Sequence, residues 1–211
     1  LYASDALGGV IHFKTKEAEF NYDPTLKSRQ RLNSYIRYNS ANHEKRIHAN
    51  YAFGKRKWSV FTGFSYVDFD DLRAGRQRRN AYPNFGKRLE YIETTQAGED
   101  LIIQNDNFNI QRGTAYSQWD FLQKWKFQLT DHLQFNLNIQ YSSSSDIPRY
   151  DNLIARRNGQ LRFAEWYYGP QNRALLSHSF TYRRSNLFFD EAKWIFPFQS
   201  IDEDRIIRRR N

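Results

Sequence analysis

Residues 133–142, LQFNLNIQYS, alternate strictly. Leu133, Phe135, Leu137, Ile139 and Tyr141 fall on one side, and Gln134, Asn136, Asn138, Gln140 and Ser142 on the other. Side chains alternate across a β-strand, so this segment has one apolar face and one face that wants water. A soluble sandwich and a membrane barrel both use such strands. The connections between strands separate the two cases.

Working outward, the same rhythm predicts six more strands, over 31–39, 46–53, 58–69, 116–129, 175–182 and 187–198. In 58–69, Trp58, Val60, Thr62, Phe64 and Tyr66 share a face. In 116–129, Trp119, Phe121, Trp125, Phe127 and Leu129 oppose Gln118, Asp120, Lys124, Lys126 and Gln128, and Leu122-Gln123 breaks the parity. In 187–198 the register places Asp190 on the face that should be apolar. Tight polar turns at 54–57 and 130–132 alternate with long connections at 70–113 and 143–173. Bacterial outer-membrane barrels have short periplasmic turns, long outer loops and aromatic girdles at both interfaces. Phe53 and Trp58 would form one girdle; Tyr38, Tyr66, Trp119 and Tyr141 would form the other. A structureless loop of this length is uncommon in a soluble domain. The expectation is an all-β chain: an antiparallel transmembrane β-barrel segment of about seven strands. The alternative is a soluble basic all-β module binding nucleic acid or acidic polysaccharide, with aromatics stacking on bases and arginines neutralising phosphates.

Composition agrees with either architecture but excludes others. Aromatics make up 17% of 211 residues, while mean hydropathy is -0.87. No run of 18 apolar residues exists, so no transmembrane helix is available. A barrel tolerates this, because only every second strand residue meets lipid. With no Cys, disulfides and thiolate metal sites are ruled out. There is no Met, and Leu1 begins in mid-pattern, which reads as a piece of a longer protein. The net charge of +9 favours anionic partners or is solvated loop and lumen charge. Much of the excess lies in 73–79 and 205–210.

No catalytic constellation, metal site or cofactor site is predicted. His12, His43, His48, His132 and His178 are scattered without ligand spacing. Asp68, Asp70 and Asp71 suit calcium by type, but no Gly turn and bidentate Glu follow, and a solvated loop accounts for them. Binding residues concentrate on loops held by a rigid scaffold. The first long connection offers Arg73, Arg76, Arg78, Arg79 and Tyr82; guanidinium forks suit carboxylate and phosphate. The second offers Tyr150, Arg156, Arg157, Trp166, Tyr167 and Tyr168, which suit a flat or carbohydrate-like ligand, lipopolysaccharide contact or loop self-packing. Arg37, His48, Asp120, Lys124 and Lys126 are expected to face a lumen.

The opening residues, LYASDALGGVIHFKTK, resemble the end of the plug domain of TonB-dependent outer-membrane receptors. Tyr2, Ser4, Asp5, Ala6, Gly8, Gly9, Val10, Ile11, Thr15 and Lys16 carry the resemblance. Ala3 and His12-Phe13 depart from the commonest form. YSQWDFLQKWKF from Tyr116, SSSSDIPRYD from Ser142 and LRFAEWYYGPQNR from Leu161 are similar to members from Bacteroidetes-type bacteria. The resemblance implies a plug inside a barrel of about 22 strands. Residues 1–20 would end the plug, 21–28 connect, and 29–211 begin the barrel. Seven strands cannot close such a barrel, and an open edge cannot sit in lipid, so the chain would be part of a receptor. Such receptors are not enzymes. They import a scarce nutrient (siderophore-iron, haem, corrinoid or glycan) across the Gram-negative outer membrane with energy transmitted by TonB. Implied partners are membrane lipid and lipopolysaccharide, TonB through an upstream segment, and a small-molecule or glycan ligand, but no nucleic acid. The lumen-facing set would touch the plug.

Overall fold

The computed structural model describes residues 14–185 and 187–210. The chain is all-β. Its strands in order are β1 (Arg29–Asn39), β2 (Glu44–Gly54), β3 (Trp58–Phe69), β4 (Leu72–Arg73), β5 (Glu90–Thr94), β6 (Asp100–Gln104), β7 (Ile110–Gln111), β8 (Tyr116–Gln128) and β9 (Leu133–Ser144). There follow β10 (Ile147–Pro148), the single helical turn α1 (Tyr150–Leu153), β11 (Arg156–Arg157), β12 (Gln160–Leu161), β13 (Phe163–Tyr168), β14 (Asn172–Arg183), β15 (Glu191–Asp202) and β16 (Arg205–Arg209). Seven long strands form one antiparallel sheet in the order β1-β2-β3-β8-β9-β14-β15. Among the described residues the sheet does not close, and β1 and β15 each keep one edge without a strand partner.

These are the seven strands expected from the alternation, displaced by a few residues at their ends. Their lengths run from 11 (β1) to 13 residues (β8), about twice the usual 5–6. Two details differ from the sequence reading. The β15 strand starts at Glu191, so Asp190 lies in the preceding turn, where its Oδ1 accepts a hydrogen bond from Ser185 Oγ at 2.5 Å. Leu187 and Phe188, assigned to that strand from sequence, also lie in the turn and are exposed. The parity break in β8 does not become a bulge. Its pairing with β9 is regular, Leu122 opposite Gln140 and Gln123 opposite Ile139. Gln123 therefore sits on the apolar face, where Thr62 Oγ1 donates to its Oε1 at 2.7 Å.

The long connections are structured. In the first, β4 pairs with β7 and β5 with β6. In the second, β11 pairs with β12, and β13 pairs with both β10 and β16. The arginine run 205–210 thus supplies a strand that the sequence reading left unassigned.

Register assigns every residue of the main sheet to a face. One row runs Phe53, Val60, Trp125, Leu137, His178, Phe196; the next runs Leu32, Tyr51, Thr62, Gln123, Ile139, Leu176, Phe198. The opposite face carries Arg31, Ala52, Phe61, Lys124, Asn138, Ser177 and Pro197 in one row. In β2 and β3 burial is inverted relative to a soluble sheet. On the apolar face Ile36 is 82% exposed, Phe198 66% and Leu176 43%, while on the polar face Asn50 is 3% and Ser59 0% exposed. The buried apolar residues among those described are few: Ala18, Phe20, Phe61, Val67, Leu161 and Phe163.

Candidate functional site

What covers the polar face is the segment 14–22. Ala18, Phe20 and Asn21 are buried. Lys126 Nζ reaches Glu17 at 2.6 Å, and Lys124 Nζ lies 4.0 Å from the same carboxylate. Lys124 also donates to the Thr15 carbonyl at 3.4 Å. Farther along, Arg29 pairs with Glu19 at 3.0 Å, and Asn21 N–H donates to the Lys55 carbonyl at 3.1 Å. Gly54 permits the approach, because a Cβ there would collide with the Glu19 carbonyl. Burial raises the Glu17 pKa, but the hydrogen bond and charge of Lys126, with Lys124 and Lys14, outweigh it and leave the carboxyl below its ordinary value. The Asn21 side chain then closes the turn into β1 by donating to the Leu26 carbonyl at 2.8 Å.

Between this strap and the sheet lies a cavity of about 420 Å³, walled in part by Thr15, His48, Phe61, Ser65, Asp120 and Arg173. Asn33 Nδ2 donates to Asn50 Oδ1 at 3.1 Å, and Asn50 Nδ2 lies 2.8 Å from His48 Nε2. His48 Nδ1 lies 2.8 Å from Ser65 Oγ. This network assigns Nε2 as acceptor and Nδ1–H as donor to the hydroxyl. A nucleophilic serine needs the opposite, a ring nitrogen that accepts its proton. Near the loop end, Glu44 is buried and holds both Arg37 and Arg46, the latter at 2.9 Å. All five residues expected to face a lumen (Arg37, His48, Asp120, Lys124 and Lys126) lie on this polar face.

At the other end of the strands the two long connections pack into one layer. Arg208 of β16 holds it together: it reaches Asp100 of β6 at 2.7 Å and Glu165 of β13 at 2.8 Å. The Asp100 side chain is fully buried. These two carboxylates, by hydrogen bond and charge, push the Arg208 pKa above its ordinary value. Arg156 pairs with Glu90 at 2.8 Å. The Arg88 guanidinium lies over the Tyr150 ring at 5.5 Å, and that of Arg149 over Tyr168, also at 5.5 Å. Arg205 stacks on Trp166 at 5.6 Å.

The ligand-contact residues expected from sequence divide into two groups. Arg79 and Tyr82 line one shallow recess with Arg78 and Phe85, while Arg73 and Arg76 are exposed beside it. Arg78 is spent on structure, donating to the Phe85 carbonyl and to Asn109 Oδ1, each at 2.7 Å. Trp166 and Tyr167 line a second cavity; Tyr150 and Tyr168 are stacked under Arg88 and Arg149. Sequence reasoning missed Arg88, Tyr91 and Arg112 in that second cavity. They sit in no motif or charge run, and only the long-range packing of the two connections unites them. Arg88 Nη1, Arg112 Nε and Trp166 Nε1 are buried there without an acceptor; each such donor costs about 1–3 kcal/mol. The residues read as the plug end, Ser4, Asp5, Ala6, Gly8, Gly9, Val10 and Ile11, lie outside the described residues. The chain matches no protein-family model, no curated protein and no solved structure.

Proposed function

We propose that this chain is part of a TonB-dependent receptor of a Gram-negative outer membrane. It would supply about seven barrel strands and the strap that ends the plug. The observation that carries the reading is the inverted sheet. From the row of Trp58 to the row of Phe64 the apolar face carries no Asp, Glu, Lys or Arg, yet in β2 and β3 it is the more exposed face. The charged face is the one the strap packs against. Lipid is the solvent in which that arrangement is favourable, since only closed, lipid-facing strands satisfy every backbone group there. Three features lend further support: strands of 11–13 residues, long enough to span when tilted; aromatic rows at both ends; and free sheet edges that further strands would complete.

The aromatic row at the turn end links Phe53 to Trp58 at 5.1 Å and Phe135 to Phe180 at 5.0 Å between centroids. At the loop end Trp119 meets Tyr141 at 5.1 Å. The plug-like opening residues add the family, and with it a nutrient cargo, membrane lipid and lipopolysaccharide as surroundings, and TonB as the energy-transmitting partner. Fractionation of the full-length protein in its host tests this reading. Outer-membrane material whose gel mobility shifts on boiling is expected. A soluble protein without a shift would overturn the proposal and make salt-dependent nucleic-acid binding the next assay.

A further inference from the structure

The loop layer contains a cavity of about 310 Å³ whose wall combines Arg88, Arg112 and Trp166 with Tyr91, Leu153 and Tyr167. That is the lower end of small-molecule sites, about 300–1,000 Å³. Three of its lining residues carry buried donors without an acceptor: Arg88 Nη1, Arg112 Nε and Trp166 Nε1. Arg88 is only 5% exposed. Its Nε donates to the Glu90 carbonyl at 3.3 Å, but no carboxylate pairs with it. Three nearby arginines are ion-paired: Arg112 with Asp71 at 3.7 Å and Asp106 at 3.5 Å, Arg156 with Glu90, and Arg208 with Asp100 and Glu165. Arg88 is thus the guanidinium of this group that makes no ion pair, although the Asp71 charge still favours its protonated form. Gly113, at φ +81°, backs it closely: a Cβ there would meet Arg88 Nη1 at 3.1 Å.

We propose that this cavity binds a small monocarboxylate with a flat apolar body, the carboxylate accepting hydrogen bonds from Arg88, Arg112 and Trp166. Glu165 also lines the cavity but is held by Arg208 at 2.8 Å, so a planar monoanion fits beside it with less repulsion than a phosphate dianion. Guanidinium and indole N–H groups suit planar carboxylate oxygens, and Ile92, Pro148 and Leu153 suit an apolar body. Desolvation also lowers the Arg88 pKa from its ordinary value, a penalty that an apposed anion relieves. The receptor reading decides only which side of the membrane this cavity faces; binding does not depend on it.

Calorimetric titration of the purified full-length protein with 1-naphthoate, 1-naphthol and inorganic phosphate tests the assignment. Naphthoate should bind at least about tenfold more tightly than the neutral naphthol. Arg88→Gln should weaken naphthoate by about tenfold or more, and Trp166→Phe, which removes only the N–H, by about threefold. Lys57→Gln, in the exposed turn between β2 and β3, should change nothing. Equal binding of naphthoate and naphthol, or undiminished binding in both cavity variants, would overturn the proposal. So would absence of binding, or displacement of naphthoate by phosphate. Should Arg88→Gln not fold, Trp166→Phe and the naphthol comparison still decide. A soluble protein that binds naphthoate sinks the receptor reading alone, and an outer-membrane barrel that does not bind it sinks this one alone.

Discussion

The two faces of the seven-stranded sheet share a backbone and differ in everything else. Leu176 and Ser177 are adjacent in β14, yet one shares a row with Ile139 and Phe198 and the other with Asn138 and Lys124. In β2 and β3 the apolar face is the more exposed one, and between its aromatic rows it carries no Asp, Glu, Lys or Arg, only His178 of β14. The polar face carries Arg31, Lys124, Lys126 and Asp120, and the strap packs against it at Gly54, Lys124 and Lys126. In water this would be the wrong way round, because apolar burial is the main driving term of folding. The contrast teaches that the surroundings of this sheet, more than its own core, must supply that term.

The strongest way to break the comparison is a charge on the apolar face. Leu176→Arg should cost about 2–4 kcal/mol in the full-length protein folded into bilayers, while Ser177→Lys next to it should cost under about 1 kcal/mol. Urea unfolding of the membrane-inserted protein reads both. Equal costs would mean that the faces do not differ in environment. On the polar face, Gly54→Ala should push the strap off the sheet, at about 1–3 kcal/mol, and expose residues 14–22 to protease. Gly63→Ala, whose Cβ would meet nothing nearer than Phe61 Cε1 at 3.4 Å, should leave the strap protected. Similar cleavage of the two variants would remove Gly54 from its role.

Smaller effects sharpen the picture. Thr62→Val alone should cost about 1 kcal/mol by orphaning Gln123 on the apolar face, whereas Thr62→Val with Gln123→Leu should be close to neutral. A double-mutant cycle reads this coupling, and additive costs would mean the pair is wet. The Lys126–Glu17 pair is partly exposed and should contribute at most about 1 kcal/mol. Its pH dependence has a definite sign. Glu17 titrates below its ordinary value of 4.5, so its contribution is complete above that value and disappears as pH falls through the lower folded one. Amide exchange in the strap should therefore be steady from pH 8 to 5, allowing for intrinsic rates, and accelerate in stronger acid. Lys126→Gln should abolish the step.

The main sheet was legible in sequence because alternation is a local signal, and LQFNLNIQYS contains all of it. Its exact ends were not. Asp190 read as a strand residue because Leu187 and Phe188 extend the apolar pattern into what is a turn. Leu122-Gln123 read as a break because two side chains violate the pattern that the backbone pairing maintains. The loop layer was hidden for a different reason. Arg208 finds Asp100 and Glu165 across 108 and 43 residues, and no periodicity encodes such a meeting. The arginine run at 205–210 signalled charge, but the strand it forms depends on β13. Arg88, Arg112 and Trp166 converge by the same long-range packing.

The chain contains no cysteine, so single-Cys substitutions can carry a nitroxide without background from it. The most direct test of the inverted sheet is a spin-label scan through residues 174–180 of β14 in the full-length protein reconstituted into vesicles. Collision with oxygen should peak at 174, 176, 178 and 180, and collision with a water-soluble nickel chelate should stay low there, giving a period of two. Labels at 175, 177 and 179 should lack the oxygen peaks. High nickel access at the even positions, or low access to both reagents there as in a protein core, would contradict a lipid-facing sheet.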